Sequence, residues 1–276
     1  MTQKILEINN ISVRIGRKTI LKGIDLDLVQ GESVLIAGSN GAGKTTLLKC
    51  LAKVIIPDTG SINYSEELSQ EKIGYISDKV SLFENWTLKK GIKFHKQEFR
   101  IKDFDFSLIK KLNMNLNQKI KSLSAGERVL FHLSLVLAQK PQLLLIDEII
   151  HTIDPYIRDY FLEAIIDLMD NLGSTVIMIN HTFSEVEKIP ERLLVMDNGK
   201  FILDEKSEIL RQKVKKVISK QDLDEKLPCI FTKDMDFAQE YYIYPFEEKF
   251  KTDFDHDFID LNLNDIMKAF IGGHYA

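Results

Sequence analysis

The chain has 276 residues, of which 44% are hydrophobic and 28% charged, a composition that excludes wholesale disorder and fibrous classes. The net charge of −4 hides an asymmetry, with +4 on residues 1–220 and −8 on residues 221–276, and the acidic final segment argues against nucleic acid as a partner. Cys50 and Cys229 form neither a C-x-x-C pair nor a disulfide framework, no apolar run reaches the ~20 residues that span a bilayer, and MTQKILEINN at the start lacks a signal-peptide layout, so a reducing, cytoplasmic setting is expected.

Residues 5–13 and 24–29 alternate apolar and polar side chains, predicting half-buried strands. The turn Gln30-Gly31-Glu32 leads into Val34-Leu35-Ile36-Ala37, a short apolar run of the kind buried on both faces of a sheet. A glycine-rich loop follows, then helical spacing over 45–53, and Pro57-Asp58-Thr59-Gly60 reads as a turn. Residues 86–139 read as mainly helical with lysine-rich exposed faces. Leu143-Leu144-Leu145-Ile146 is a second buried strand, 156–172 has helical spacing, and 175–179 and 193–196 are further buried strands. Strands alternating with helices define an α/β fold with a mostly parallel sheet covered on both faces.

A composition shift falls near residue 210. The basic run 211–216 reads as helical, and aromatic and acidic residues follow it. Leu263, Ile266, Met267, Phe270 and Ile271 lie at one-face helical spacing and stop at Gly272-Gly273. The expected division is a main α/β domain over 1–215, with a helical subdomain at about 85–140, and a small α+β accessory segment over 216–276 that packs beside it.

The strongest chemical signal is Gly38-Ser39-Asn40-Gly41-Ala42-Gly43-Lys44-Thr45, which fits G-x-x-x-x-G-K-[ST] at every fixed position between a buried strand and a helix. Glycines let the backbone bend so that several N–H groups cradle phosphate oxygens. The helix that follows, opening with Lys44, Thr45 and Thr46, turns its positive end toward the same charges. Lys44 reaches toward the β- and γ-phosphates, and the Thr45 hydroxyl is placed to ligate Mg²⁺. Asp147 and Glu148 end an apolar strand, where an open parallel sheet binds its ligands. Asp147 suits Mg²⁺, and Glu148 suits orientation or deprotonation of a water for in-line attack.

A third element, Leu123-Ser124-Ala125-Gly126-Glu127, precedes a long apolar stretch. With it, the chain resembles the ATP-binding subunits of ABC transporters, whose signature is LSGGQ. The resemblance covers roughly residues 3–210. It continues through Thr152-Ile153-Asp154-Pro155, similar to the family's D-loop, and Asn180-His181, similar to its switch histidine.

The resemblance implies a P-loop NTPase fold of the ABC type, ATP and Mg²⁺ as ligands, and closure of two chains head to tail around two nucleotides. Ser124 and the N–H groups of Ala125 and Gly126 would face the γ-phosphate held by the other subunit. His181 would hold Glu148 and the water in place.

At the position aligned with the family's adenine-stacking aromatic stands Ile15, and Asp78 occupies the place of its Q-loop glutamine, near Mg²⁺. Ile149 and Ile150 replace a usual Pro-Thr pair. Phe83, Trp86, Leu88 and Phe94, with Lys89, Lys90 and Lys93, are expected to line the groove that receives a helix of the membrane subunit. The resemblance thus implies an active ATPase, paired as homo- or heterodimer, peripheral on the inner face of the cell membrane through separate permease subunits. Within the family, it leans toward export of antibiotics, bacteriocins or peptides. The alternative is a soluble ABC-type ATPase without a transporter, for example in cofactor assembly.

Overall fold

The computed structural model describes residues 3–77, 83–149, 153–180, 186 and 189–272. In chain order the elements are β1 (Lys4–Ile15), β2 (Lys18–Val29), β3 (Ser33–Ala37), α1 (Lys44–Leu51), β4 (Thr59–Tyr64), β5 (Ile73–Ser77), α2 (Leu88–Glu98), α3 (Ser107–Lys111), α4 (Ala125–Ala138), β6 (Leu143–Asp147) and α5 (Pro155–Leu172). They continue with β7 (Thr175–Ile179), β8 (Arg192–Asp197), β9 (Lys200–Lys206), α6 (Ser207–Lys213), β10 (Lys215–Ser219), β11 (Cys229–Asp234), β12 (Gln239–Ile243), α7 (Phe250–Asp253), β13 (Ile259–Asp260) and α8 (Leu263–Ile271).

Among the described residues, the central sheet has the order β5-β6-β7-β3-β8-β9, parallel except for β9. The apolar runs of its inner strands alternate between two cores. Leu144 and Ile146 of β6 face the cluster built with α4 and α5, while Leu143 and Leu145 face the cluster built with α1 and the antiparallel sheet β2-β1-β4. A strand buried on both faces has no polar positions to give it a period, which is why these segments read as continuous apolar runs.

Three local expectations are corrected. Thr59 and Gly60 belong to β4, not to a turn, because Ser12 pairs with Thr59 along β1. Lys215 and Lys216 leave the helix for β10, where they pair with Ile243 and Tyr242 of β12. The helix ends at Lys213, and the residue that follows it, Val214, is extended and buried in the main core. Leu88 is fully buried in the core and lines no surface groove.

The final residues form a second antiparallel sheet, β11-β12-β10-β13. One of its faces closes over Val217, Tyr241, Ile243, Phe246 and Phe250. The helix α8 lies where its spacing predicts, with Gly272 in the left-handed conformation as its stop. Its Ile266, Met267 and Ile271 join the cluster that holds Leu193, Val195 and Leu210, so the C-terminal piece is bolted to the main core.

Within the α4 packing, the Nδ1 of His132 is buried without a hydrogen-bond partner among the described residues. Burial, and more weakly the nearby His95, lower its pKa to about 4 from the ordinary 6.5. Above pH 6.5 the ring is neutral both folded and unfolded and costs nothing. Between 6.5 and 4 only the unfolded chain takes up the proton, so stability falls by up to ~3 kcal/mol across that window. Urea titrations at pH 7 and pH 4.5 should show His132→Leu losing less stability than the parent chain on acidification.

Candidate functional site

The phosphate loop leaves the end of β3, the strand between β7 and β8, and enters α1 at Lys44. Its shape depends on contacts that exclude side chains. Gly38 has φ 145°, and a Cβ there would fall 2.0 Å from the Met196 carbonyl oxygen. Gly43 has φ 110°, and its Cβ would stand 2.9 Å from Leu21. The turn between β8 and β9 holds the loop from outside, since the Gly199 N–H donates to the Ala42 carbonyl at 2.9 Å. The Ala42 N–H donates in turn to Ser39 at 3.1 Å. Asn40 and Gly41 are exposed, and Thr45 and Thr46 are half-buried in the first turn of α1.

The Lys44 ammonium is buried at the base of this loop. It donates to the carbonyls of Gly38 at 2.8 Å and Ser39 at 3.1 Å, and its Nζ lies 3.6 Å from Glu148 Oε1. Burial lowers its pKa from the ordinary lysine value, and Glu148 and Asp147 pull it back up. The Thr45 hydroxyl donates to Asp147 Oδ1 at 3.1 Å. The other Asp147 oxygen accepts from the Tyr75 hydroxyl at 3.0 Å.

Glu148 is turned back on Lys44 by the backbone. Its φ is 49°, a left-handed value that non-glycine residues rarely hold, and its N–H donates to the Ile179 carbonyl at 3.1 Å. Next to it, Ile149 is fully buried in the core. The apolar residue in place of the family's proline therefore anchors the chain just past Glu148.

Lys44, Thr45, Asp147 and Glu148 thus converge. Ser124, Ala125 and Gly126 do not join them, since no described contact links them to the phosphate loop. Ser124 caps α4 through a reciprocal pair: its hydroxyl accepts from the Glu127 N–H at 3.2 Å, and Glu127 accepts from the Ser124 N–H at 2.8 Å. The first-turn N–H groups of Ala125 and Gly126 have no partner within a helix. Gly126 lets this turn approach α5: a Cβ there would lie 3.2 Å from Ile157 and 3.5 Å from Asp154. Asp154 caps α5 in its turn, accepting from the Ile157 N–H at 3.1 Å. Two helix N-termini therefore lie side by side, capped by the carboxylates of Asp154 and Glu127.

Ile15 ends β1 beside Gly16, 55% exposed, and no described contact joins it to the loop. Asp78, Ile150, His151, Thr152 and His181 lie outside the described residues. Sequence reasoning missed Tyr75, whose hydroxyl fixes Asp147. The available signal was a lone tyrosine in the short segment Ile73–Ser77, which pairs in parallel register with β6.

The chemistry of this end of the sheet fits Mg²⁺ and a polyphosphate. An ammonium already sits on loop carbonyls, while a hydroxyl and a carboxylate within hydrogen-bonding distance offer hard oxygens. Mg²⁺ is commonly held by one or two carboxylates together with substrate phosphates rather than by a full protein cage. The geometry defines a P-loop nucleotide-binding domain.

Comparison with known proteins makes the class specific. The ABC transporter family model matches residues 21–151. The chain is 28% identical over 226 residues to the glutamine transport ATP-binding protein GlnQ of Escherichia coli, covering 75% of this chain and 93% of that protein. It is 29% identical over 212 residues to the linearmycin resistance ATP-binding protein LnrL of Bacillus subtilis, covering 72% and 68%. A solved ATP-binding subunit of an ABC transporter shares the fold with a TM-score of 0.66 at 21% identity, over 75% of this chain and 92% of that one. Residues 21–151 match that family, and the chain has the ATPase fold of its ATP-binding subunits.

Proposed function

We propose that this chain binds and hydrolyses ATP in a dimer with a second ATP-binding subunit and so drives separate transmembrane permease subunits that export a peptide, bacteriocin or antibiotic. The observation that carries the reading is the split of its anion-binding groups. Lys44, Thr45, Asp147 and Glu148 meet at one place, and the Ser124–Gly126 edge has no described contact with them. A second chain supplying its own edge would complete the pocket. The name of LnrL, which refers to linearmycin resistance, supports export.

In this reading the loop N–H groups of Gly41 to Thr45 bind the phosphates, and Lys44 exchanges the Gly38 and Ser39 carbonyls for phosphate oxygens. Thr45 and Asp147, with Asp78, would hold Mg²⁺, which neutralises charge on the β- and γ-phosphates when bound. Glu148 orients the attacking water and accepts its proton, with His181 holding both in line. Tyr75 keeps the Asp147 carboxylate pointed at Thr45. Ile15 gives the base an aliphatic contact in place of a stacked ring. Loss of the γ-phosphate removes the bridge between chains and lets them separate.

The permease contact is assigned to the aromatic cluster ahead of and within α2. Phe83 stacks on Trp86 with centroids 4.1 Å apart, Phe94 meets Trp86 edge-on at 5.3 Å, and the Lys90 ammonium lies 4.3 Å over the Trp86 ring. Phe83 is 57% exposed despite these ring contacts, leaving a large apolar surface open to solvent. Among the described residues no helix is long and apolar enough to cross a membrane, so the pore belongs to other chains in this reading.

Co-purification in detergent tests the class. The expected result is a stable complex with a multi-span membrane protein whose presence raises ATP turnover and which Trp86→Ala weakens. An exclusively soluble partner would favour the cofactor-assembly alternative and overturn the transport reading. Inside-out vesicles carrying the complex should take up cargo on addition of ATP; uptake into right-side-out vesicles instead would reverse the direction.

A further inference from the structure

The phosphate loop does not stand on the ATPase core alone. Ser39 and Asn40 share a cleft of about 520 Å³ with Asp197 and Asn198 of the β8–β9 turn, and its far wall is Phe270 and Ile271 at the end of α8. That wall is fixed. Ile271 is buried with the rest of the apolar face of α8. The Phe270 ring meets Tyr244, just past β12, edge-on at 5.1 Å and 77°. Ile202 of β9 lines the same cleft and is 54% exposed. The face that presents the start of the phosphate loop therefore also presents an apolar ledge, built in part by the acidic C-terminal segment.

We propose that this ledge is a docking surface for the second copy of this chain, so that the C-terminal piece takes part directly in ATP-dependent pairing. The proposal rests on the split-pocket reading above. In that reading a second chain covers the mouth of the phosphate loop, and the ledge is continuous with that mouth through Ser39 and Asn40. Burying Ile202 and the open edge of Phe270 there adds an apolar contact to an interface otherwise made of phosphate and helix ends. Because Phe270 is set by Tyr244, the C-terminal sheet fixes the geometry of the ledge, and the wall is formed before the partner arrives.

The test uses the full chain carrying Glu148→Gln, which is expected to retain ATP and accumulate the dimer. Ile202→Asp and Phe270→Asp are introduced separately, and sedimentation with Mg²⁺-ATP gives the dimer Kd. Ile202 is exposed, so its substitution leaves the fold intact, while Phe270→Asp is checked by circular dichroism. Each variant should bind a fluorescent ATP analogue as tightly as its parent while its dimer Kd rises about tenfold or more. Unchanged dimer Kd in folded Ile202→Asp and Phe270→Asp overturns the ledge and leaves the split pocket standing. A Glu148→Gln parent that stays monomeric with Mg²⁺-ATP overturns pairing of identical copies, and the ledge with it.

Discussion

Replacing Glu148 by Gln is expected to cut ATP turnover by about 10²- to 10⁴-fold while leaving the affinity for Mg²⁺-ATP within a few-fold of the parent. Gln keeps the side chain's length and leaves the backbone N–H bond to Ile179 untouched, so the local shape survives. What disappears is the carboxylate that takes the water's proton. The variant also loses the larger of the two carboxylate influences that pull the Lys44 pKa up against burial, leaving Asp147, so Lys44 titrates lower than in the parent. Steady-state phosphate release, together with titration of a fluorescent ATP analogue, separates these effects. Equal turnover by parent and variant would remove Glu148 from the chemistry.

Gly38→Ala is expected to be among the most damaging substitutions of a single methyl group in this chain, costing ~4 kcal/mol or more and abolishing nucleotide binding. The new Cβ would lie 2.0 Å from the backbone oxygen of Met196, and that oxygen belongs to β8, a strand pinned in the central sheet. Neither side has a flexible end to move. Gly41→Ala is the control. Its φ of 81° is also left-handed, but nothing lies within 4 Å of its Cβ, so only ~1–2 kcal/mol of backbone strain is expected. Thermal melts and ATP titrations of the two variants should therefore diverge sharply. Similar damage at both positions would show that conformation, and not the approach to β8, dominates the loop.

The phosphate loop, the two carboxylates and the signature helix were legible because each is a short local pattern whose chemistry dictates both residue type and spacing. The inner strands were legible because burial on both faces leaves only apolar residues. What escaped the sequence depends on distant contacts. Tyr75 acquires its role from Asp147, 72 residues away, and no local pattern marks that meeting. β9 pairs with β8 at the sheet edge, where one exposed face dilutes the apolar signal. Lys215 and Lys216 look helical in a basic run, yet the ladder to β12 draws them into a strand, tertiary pairing overriding a weak local preference. Likewise Leu88 reads as part of a mixed aromatic and basic surface, and only the packing of α2 shows that it points inward.

The left-handed backbone at Glu148 sets two selection pressures against each other. Asparagine or glycine would occupy that conformation with less strain, so a library screened only for heat resistance should enrich such replacements and yield tough, inert proteins. Robust variants that still turn over should instead gather their gains far from that bend, in the antiparallel sheet or the outer helices. Position 148 marks where durability and work compete within a single residue.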